Sequence, residues 1–307
     1  MLKKIERFKL LPVKSERLDA LLPAMLPEYS RRFLRALILQ GGVYVDKKRV
    51  RKQGYMVRAN RSVHIKIYIF DGSTIEALAK KVLWQDTILH QANSFVAVNK
   101  PSGIPTAPTE SSSVHNLYAY LNRSKLVPPT AFPGNRLDRY TSGVVIIPLT
   151  RRFSAKLNEQ LANRSIPKKY LALVSGLPEK NEWKIEGYMS RSQHGKMILR
   201  ADKRHNARYS CSRFSVLATN REKEVTLVAA MPETGRTHQI RVHLLESGLP
   251  IIGDSQYGKR RSLSIDASRM MLHCYQMDLA GVEEANTLIV TEIPEEFTRI
   301  FNSDISL

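Results

Sequence analysis

The sequence predicts an α+β protein in two parts, a small basic module followed by a larger domain of strands and helices. Positive charge is concentrated at the front. Residues 1–85 contain 19 Lys and Arg against 7 Asp and Glu, so they carry more than half of the formal +20 of the chain. In the remainder, strand-like stretches outnumber helical ones, and the two do not alternate as they would in a doubly wound fold. The front part has the pattern of two helices and a hairpin.

Composition bounds the class of protein. The chain has 307 residues, of which 43% are hydrophobic and 25% charged, and it can therefore bury a sizeable core. We expect no membrane span and no secretory signal, because no apolar run approaches roughly 18–20 residues and the basic N-terminus has no apolar segment. The two cysteines, Cys211 and Cys274, lack a metal-binding spacing and indicate a reducing, cytosolic compartment. The net charge favours a polyanionic partner, nucleic acid more than a membrane surface.

The front module has a helical pattern followed by a hairpin pattern. Leu18, Leu21 and Leu22 recur at helical spacing. A second helix is expected from Ser30, a typical N-cap residue, to the pair Gly41-Gly42. The segment VYVDKKRVRKQGYMV then predicts a hairpin whose turn lies at residues 46–48.

The module carries a basic edge that predicts contact with RNA. Its candidate RNA-binding side chains are Arg31, Arg32, Arg35 and Lys48. A merely solvated charged face is the alternative, but it does not account for this concentration of charge. Residues 15–65 resemble the ribosomal-protein-type α-L RNA-binding domain, through Arg17-Leu18-Asp19, Ser30-Arg31 and the run from Gly42 to Asp46. That family usually has Gly-Asp before the last strand, where this chain has Ala59-Asn60.

The rest of the chain divides into a linker and a second domain. We expect a front domain over residues 1–75, a linker over 76–90 and a second domain over 91–307. Strands are expected at Phe95–Val98, Val144–Leu149, Tyr170–Val174, Phe214–Ala218 and Val225–Ala230. Helices are expected at Arg152–Ala162 and Thr237–Glu246, the second stopped by Gly248.

Motifs that would bind a cofactor are missing from the sequence. It contains no GxGxxG, no GxxxxGK[ST], no GxSxG and no HExxH. We therefore expect no dinucleotide, no triphosphate and no metal.

Two polar clusters remain as candidate sites. In NRLDRYTSG, residues 135–143, Asp138 lies between Arg136 and Arg139, just before an apolar run. Adjacent guanidinium groups favour the ionised form of a carboxylate, although Asp138 could also be an ordinary salt-bridged loop residue. Further on, GRTHQIR predicts a helix that begins near Thr237 and presents His238 and Arg241 three residues apart, with Arg236 at its edge. Taken singly, a structural histidine and a surface arginine would explain those two residues.

Together, these clusters resemble the signature of the RluA-type pseudouridine synthases. Five blocks occur in the family's order: Asn99 to Gly103; Arg136-Leu137-Asp138 with Thr141-Ser142-Gly143; Lys168-Lys169-Tyr170; Gly235 to His243; and Gly253-Asp254 with Tyr257-Gly258, after which Leu272-His273 closes the series. An α-L domain in front is common in that family. This chain departs from the pattern at Asn135 and Ala107, where the family usually or often has histidine. We interpret the two departures as changes in RNA or target preference.

The resemblance implies a fold and roles for residues. It implies a mixed, mainly antiparallel sheet and the isomerisation of uridine to pseudouridine without cofactor, metal or ATP. Asp138 would be the catalytic acid, Arg241 its partner and Tyr170 the aromatic ring that stacks on the flipped base. Arg136 would fill the vacancy in the RNA helix or contact phosphate. The remaining candidate RNA contacts are Arg139, Arg236 and His238.

Alternatives of other classes remain. A catalytically silent RNA-binding or ribosome-assembly protein could share the fold, but Asp138 is present. An RNA methyltransferase is disfavoured by the missing glycine-rich loop. Ribosomal RNA is the expected substrate and transfer RNA the second choice. We also expect a cytoplasmic monomer without a membrane partner.

Overall fold

The computed structural model describes residues 2–39, 42–50, 52–70, 73–107, 115–131, 134–193, 195–203, 206–258 and 267–301. The chain forms two compact units. The first comprises Met1–Val82 and Ile104–Ser124, and the second comprises Leu83–Gly103 and Lys125–Leu307. Within the described ranges, no helix is long and apolar enough to cross a membrane.

In its described residues, the first unit contains short strands and four helices. Its strands are β1 (Leu2–Leu10), β2 (Glu16–Arg17), β3 (Val43–Val45), β4 (Lys48–Val50), β5 (Met56–Val57) and β6 (Val63–Phe70). Its helices are α1 (Leu18–Met25), α2 (Arg31–Leu39), α3 (Ser73–Lys80) and α4 (Leu117–Arg123). The strands pair in the order β1-β6-β3-β4, and β2 pairs with β5. Leu18, Leu34 and Ile38 are fully buried in the core of this unit.

The predicted helix–helix–hairpin order is confirmed. The Ser30 hydroxyl accepts a hydrogen bond from the Phe33 amide, so Ser30 caps α2 as expected. The amide of Gly42 donates to the Leu37 carbonyl after the helix, whereas Gly41 lies outside the described residues. Asp46 and Lys47 both have positive φ, 48° and 66°, as in the two-residue turn that matches strand twist.

Asn60 gives a physical reason for one departure from the α-L pattern. Its φ is 57°, a left-handed conformation that asparagine tolerates better than most residues. Its amide donates to the Pro12 carbonyl. Asn60 stands where the family has aspartate, and asparagine adopts this left-handed conformation readily.

The second unit is built on one large sheet. Its strands are β7 (Ile88–Gln91), β8 (Phe95–Lys100), β9 (Ser142–Pro148), β10 (Lys168–Ser175), β11 (Glu182–Arg191), β12 (Met197–Arg200), β13 (Arg208–Asn220), β14 (Val225–Pro232), β15 (Leu272–Asp278) and β16 (Leu288–Val290). Its helices are α5 (Arg151–Ala162), α6 (Gln239–Glu246) and α7 (Glu295–Thr298), with a 3₁₀ turn at Trp84–Thr87.

The order and direction of the strands in the sheet define the fold class. It runs β12-β11-β13-β14-β10-β15-β9-β8-β7, with β16 beside β15. Among the pairs formed by described residues, β9 with β15 is parallel and the others are antiparallel. The prediction of an α+β fold with a mixed, mainly antiparallel sheet is therefore confirmed.

Two local expectations differ from the structure. The stretch at 76–90 contains the end of α3, a 3₁₀ turn and the start of β7, so it is largely regular; the proposed domain limits stay a prediction. The helix expected from Thr237 begins at Gln239 instead. His238 precedes it with a left-handed backbone, φ 57°, because the Gln239 side chain accepts hydrogen bonds from the Arg236 amide and the Thr234 hydroxyl and so fixes the preceding turn.

Candidate active site

Asp138 lies in a loop that is fastened to the start of β9. The side chain of Asn135, buried just before it, donates to the Val144 carbonyl and accepts from the Ile146 amide. Both ends of the amide are therefore bonded to β9. Asn135, where the family usually has histidine, connects the loop to the strand.

The end of β8 and the loop that follows it, together Asn99 to Gly103, contact the loop of Asp138 from the other side. The amide of Gly103 donates to the Arg139 carbonyl at 2.9 Å, and the Ser102 hydroxyl donates to the Tyr140 carbonyl at 2.7 Å. Lys100 is fully buried and donates to the Arg139 carbonyl at 3.2 Å. Burial, the largest effect, lowers the pKa of this lysine to about 7, while Asp138 opposes the change. The two loops therefore form one hydrogen-bonded platform.

The start of β9 meets β15 at Gly143. A Cβ at this glycine would lie 2.1 Å from the Cys274 carbonyl oxygen, and the φ of 110° is one that other residues rarely adopt. Beside it, the Ser142 hydroxyl is 2.8 Å from Nδ1 of buried His273 and accepts from Arg269. Burial lowers the pKa of His273 to about 3, so the ring is neutral.

Arg241 joins Asp138 to a second, buried carboxylate. Its Nη1 donates to Asp138 Oδ2 at 3.1 Å, while Nε and Nη2 donate to the two oxygens of Asp254 at 2.7 and 2.9 Å. Burial disfavours the charged guanidinium, but Asp254 and Asp138 together raise the pKa of Arg241. Burial likewise opposes the charge of Asp254, yet Arg241 holds the pKa of that carboxyl below its usual value. The guanidinium is fixed in one orientation, with one edge towards Asp138.

His238 also lies near the Asp138 carboxylate, but at a longer distance than Arg241. Its Nε2 is 3.8 Å from Asp138 Oδ2, and its Nδ1 is 2.9 Å from the Tyr257 hydroxyl. The same hydroxyl accepts a hydrogen bond from the Met197 amide at 3.0 Å. Burial lowers the pKa of His238 below its usual value, so the ring is neutral at pH 7.

Tyr170 approaches the same space from β10. It pairs with Ala230 of β14 on one side and with Cys274 of β15 on the other. Burial raises the pKa of its hydroxyl well above 10, so the hydroxyl is protonated at neutral pH. Tyr170 can therefore donate a proton or a hydrogen bond, and its ring is half-buried.

Asp138, Tyr170, His238 and Arg241 line one cavity of about 530 Å³, a size typical of small-molecule sites. The predicted site residues that line it are Arg136, Asp138, Tyr170, Arg236, His238 and Arg241. They come from the loop before β9, from β10 and from the turn and helix at 235–246. Segments that are far apart in the sequence thus converge on the Asp138 carboxylate. Within the described residues, no cluster of three or more His, Cys, Asp or Glu could hold a metal ion.

The two arginines that flank Asp138 in the sequence do not pair with it among the described contacts. Arg139 donates from Nε to the Gly103 carbonyl and lies 5.0 Å from the centre of the Tyr140 ring. Arg136 is exposed. Among the described contacts, the cation that pairs with Asp138 is Arg241, because successive side chains of the tight loop point in different directions and the helix α6 supplies the guanidinium.

The candidate RNA-binding residues of the front module have different surroundings. Arg31 and Lys48 are exposed. Arg35 is 3.6 Å from Asp19, a buried carboxylate that also accepts two hydrogen bonds from Arg17. Arg32 lies in α2, but its side chain falls outside the described part of the chain.

Sequence reasoning missed residues that support the site. Asp254 was identified only as part of a family block, although a lone acid in Gly-Asp before Tyr-Gly, downstream of an arginine helix, was the available signal. Lys168 lines the cavity, and burial lowers its pKa. The role of Lys100 had no signal in the sequence, since it depends on a loop contact across 39 positions.

The site gathers one carboxylate and several cations around a single cavity, and the comparisons with known proteins identify the class of enzyme. Residues 94–246 match the family described as RNA pseudouridylate synthase, and residues 16–63 match the S4 domain. A Zymomonas mobilis protein named as an RNA pseudouridine synthase is 34% identical over 227 residues, which cover 72% of this chain and 97% of that protein.

Other relatives extend over more of the chain. The ribosomal large subunit pseudouridine synthase C of Buchnera aphidicola is 29% identical over 305 residues, which cover 94% of each chain. Among solved structures, human RNA pseudouridylate synthase domain containing 1 has a TM-score of 0.56 and 25% identity, and covers 68% of this chain and 82% of that one. The chain belongs to the RNA pseudouridine synthase family, with an S4 RNA-binding domain at the front. It is an RNA pseudouridine synthase, an isomerase whose partner is RNA.

Proposed function

We propose that this enzyme isomerises uridines of large-subunit ribosomal RNA, with Asp138 as its catalytic carboxylate. The observation that carries the assignment is the asymmetry of Asp138. Its Oδ2 accepts from Arg241, whereas Oδ1 has no hydrogen-bond partner among the described residues, in a cavity of about 530 Å³. The side chain is 28% exposed, so substrate can reach it. A carboxylate held on one oxygen and open on the other suits attack on a sugar or base, or removal of a proton.

The reaction breaks the bond between ribose C1′ and uracil N1, turns the base over and joins C1′ to C5; C5 loses a proton and N1 gains one. Substrate and product have the same composition, so no other reactant is consumed. Asp138 supplies the carboxylate that these steps require, and Arg241 binds one of its oxygens. Asp254 holds Arg241 in place through its two hydrogen bonds.

We assign to Tyr170 and Arg136 the two roles that extrusion of a base requires. A uridine inside an RNA helix must leave its stack, and an aromatic face compensates by roughly 1–3 kcal/mol. The half-buried ring of Tyr170 lines the cavity, and its protonated hydroxyl can donate to the base. The exposed Arg136 is available to enter the helix or to contact phosphate. Arg236 and His238 line the same cavity and complete the RNA contacts.

The catalytic assignment is tested by Asp138→Asn. Pseudouridine formation is followed as release of tritium from RNA labelled at C5 of uracil. We expect loss of turnover with RNA affinity within a few-fold of wild type, because the amide has no charge to act as nucleophile or base. Asp86→Asn, the same change at an exposed acid outside the cavity, is the control. Appreciable turnover by the Asp138 variant would remove the assignment.

The substrate is tested by mapping pseudouridines in total RNA from cells with and without the gene. We expect sites in large-subunit ribosomal RNA to disappear. The relative named ribosomal large subunit pseudouridine synthase C, aligned over nearly the whole chain, supports this choice. Loss confined to transfer RNA would contradict it. We further propose a cytoplasmic monomer, a location supported by two buried free thiols among the described residues.

A further inference from the structure

The cavity has a wall of cations on the side formed by the end of α5 and the turn before α6. Arg164, Lys168 and Arg236 line it together with Asp138, and Arg208 lies close enough to act on Arg236. In the part of the chain that the structure describes, none of these four side chains forms an ion pair with a carboxylate. The hydrogen bond from Arg236 Nε goes to the neutral carbonyl of Tyr209.

Neighbouring arginines, in contrast, are paired with carboxylates. Arg241 has Asp254 and Asp138, at 2.7 and 3.1 Å. Arg213 is paired with Glu233 at 2.7 Å, so the acid of this cavity wall is already bound to another cation. The positive charge along the wall is thus left without compensation from the described carboxylates.

The uncompensated charge is unfavourable for the protein alone. Burial is the main effect that lowers the pKa of Arg236, and the positive charges of Arg164 and Arg208 lower it further. Burial also lowers the pKa of Lys168. Arg164, moreover, has a left-handed backbone with φ 60° at the end of α5, a position where glycine or asparagine is favoured. Like charges gathered around a cavity are stabilised when an anion binds between them.

We propose that Arg164, Lys168 and Arg236 form a phosphate subsite, which binds an RNA phosphodiester next to the extruded uridine. The inference rests on the proposed function, since it makes the cavity the place where the nucleotide lies. Two chemical arguments favour phosphate over the base. The groups are cations without acceptors, whereas the edge of uracil offers both donors and acceptors, and phosphate presents several acceptor oxygens to arginine and lysine. The subsite would locate the sugar between this wall and the Asp138 carboxylate.

The test uses Arg164→Gln, because Arg164 is exposed and its replacement removes charge without removing a packing contact. Arg221→Gln is the matched control, since Arg221 is an exposed arginine in the turn between β13 and β14 that does not line the cavity. Both changes are made in the Asp138→Asn chain, so that binding is measured without turnover. The probe is large-subunit ribosomal RNA transcribed in vitro, bound at a series of salt concentrations.

We expect Arg164→Gln to weaken binding about tenfold at low salt. The log–log salt slope should fall by about 0.7–0.9, because the variant neutralises one phosphate fewer. Lys168→Gln should act in the same direction, and the control should leave affinity and slope unchanged. A second readout is inhibition of the active chain by inorganic phosphate at constant ionic strength. Arg164→Gln should relieve that inhibition several-fold.

The outcomes separate the subsite from the proposed function. Equal affinity and slope for the Arg164 and Arg221 variants would overturn the subsite, even if Asp138→Asn abolishes tritium release. Weaker affinity with an unchanged salt slope would also overturn it, because the arginine would then contact the base. Conversely, an Asp138→Asn chain that retains turnover would overturn the catalytic assignment while a lowered slope still supported the phosphate subsite.

Discussion

Asp254 is the residue that determines where the Arg241 guanidinium points. Its side chain is 1% exposed, and its Oδ1 also accepts hydrogen bonds from the amides of Gln256 and Tyr257. A carboxylate fixed by two amides fixes in turn the arginine that it binds through two bonds. Of the three charged residues Asp138, Arg241 and Asp254, the first two could be identified from the sequence, because each lies in a short motif. Sequence reasoning could not find the link through Asp254, which requires the loop after α6 to fold back on the helix.

Replacing Asp254 should show how much the orientation of the Arg241 guanidinium contributes to the rate, as distinct from its charge. In Asp254→Asn the buried arginine keeps Asp138 but loses its bidentate partner. Removing one member of a buried ion pair destabilises by about 3–5 kcal/mol, and the loosened guanidinium should slow single turnover more than tenfold. Chemical denaturation and tritium release measure the two effects, with Asp86→Asn as control. An unaltered single-turnover rate would contradict a positioning role for Asp254.

His243 should make the fold sensitive to acid. It is fully buried in α6, its Nε2 is 3.0 Å from the Ser210 hydroxyl, and its Nδ1 has no partner among the described residues. Burial lowers the pKa of His243 from 6.5 to about 4. The unfolded chain therefore takes up a proton at a higher pH than the folded chain does. The stability contributed by neutral His243 is present above pH 6.5 and is lost as the pH falls towards 4.

The size of this effect follows from the two pKa values. Between pH 7.5 and pH 5 the free energy of unfolding should fall by about 2 kcal/mol through His243 alone. His243→Gln retains an amide donor for Ser210 and should remove that part of the pH dependence. Urea denaturation at the two pH values measures it, with His64→Gln at an exposed histidine as control. An equal loss of stability in wild type and His243→Gln would show that His243 is not responsible.

At the level of elements, the junction of β9 and β15 depends on Gly143. Gly143→Ala would place a methyl group 2.1 Å from the Cys274 carbonyl oxygen, so the two strands must separate. We expect a loss of several kcal/mol in stability and of most activity, because Asp138 lies five positions before this junction. Gly281→Ala is the control, since its nearest neighbour would be 4.0 Å away. A Gly143→Ala variant as stable and active as Gly281→Ala would show that the junction of β9 and β15 tolerates the added methyl group.

The pattern of elements was more predictable than their boundaries and pairings. The five expected strands and the helix α5 all occur, because buried strands and amphipathic helices have strong local periodicity. The start of α6 was misplaced because hydrogen bonds of the Gln239 side chain, which no periodicity reveals, hold Thr237 and His238 outside the helix. The parallel pairing of β9 with β15 depends on residues 131 positions apart and had no local signal.

At the scale of the whole molecule, we expect the front module to contribute to the affinity for RNA and not to the rate of the chemical step. Arg31→Glu with Lys48→Glu reverses two exposed charges. Binding of large-subunit ribosomal RNA should weaken, and the salt slope should fall by nearly one for each phosphate that the module no longer neutralises. The single-turnover rate at saturating enzyme should stay close to wild type. Lys180→Glu with Lys223→Glu, at exposed positions of the second unit, is the control. Equal binding by the two double variants would contradict the role of the basic edge.

The position of β15 in the sheet has a consequence for the synthesis of the enzyme. The strand lies between β9, which follows Asp138, and β10, which bears Tyr170. A ribosome that has just added Ser142 must add another 131 residues before it reaches His273. At about 5–20 residues per second that interval lasts roughly 7–26 s. Once residue 170 has been added, the growing chain has both Asp138 and Tyr170, but it still lacks the strand that lies between β9 and β10. A nascent chain can therefore hold RNA through its front module well before it is able to modify it.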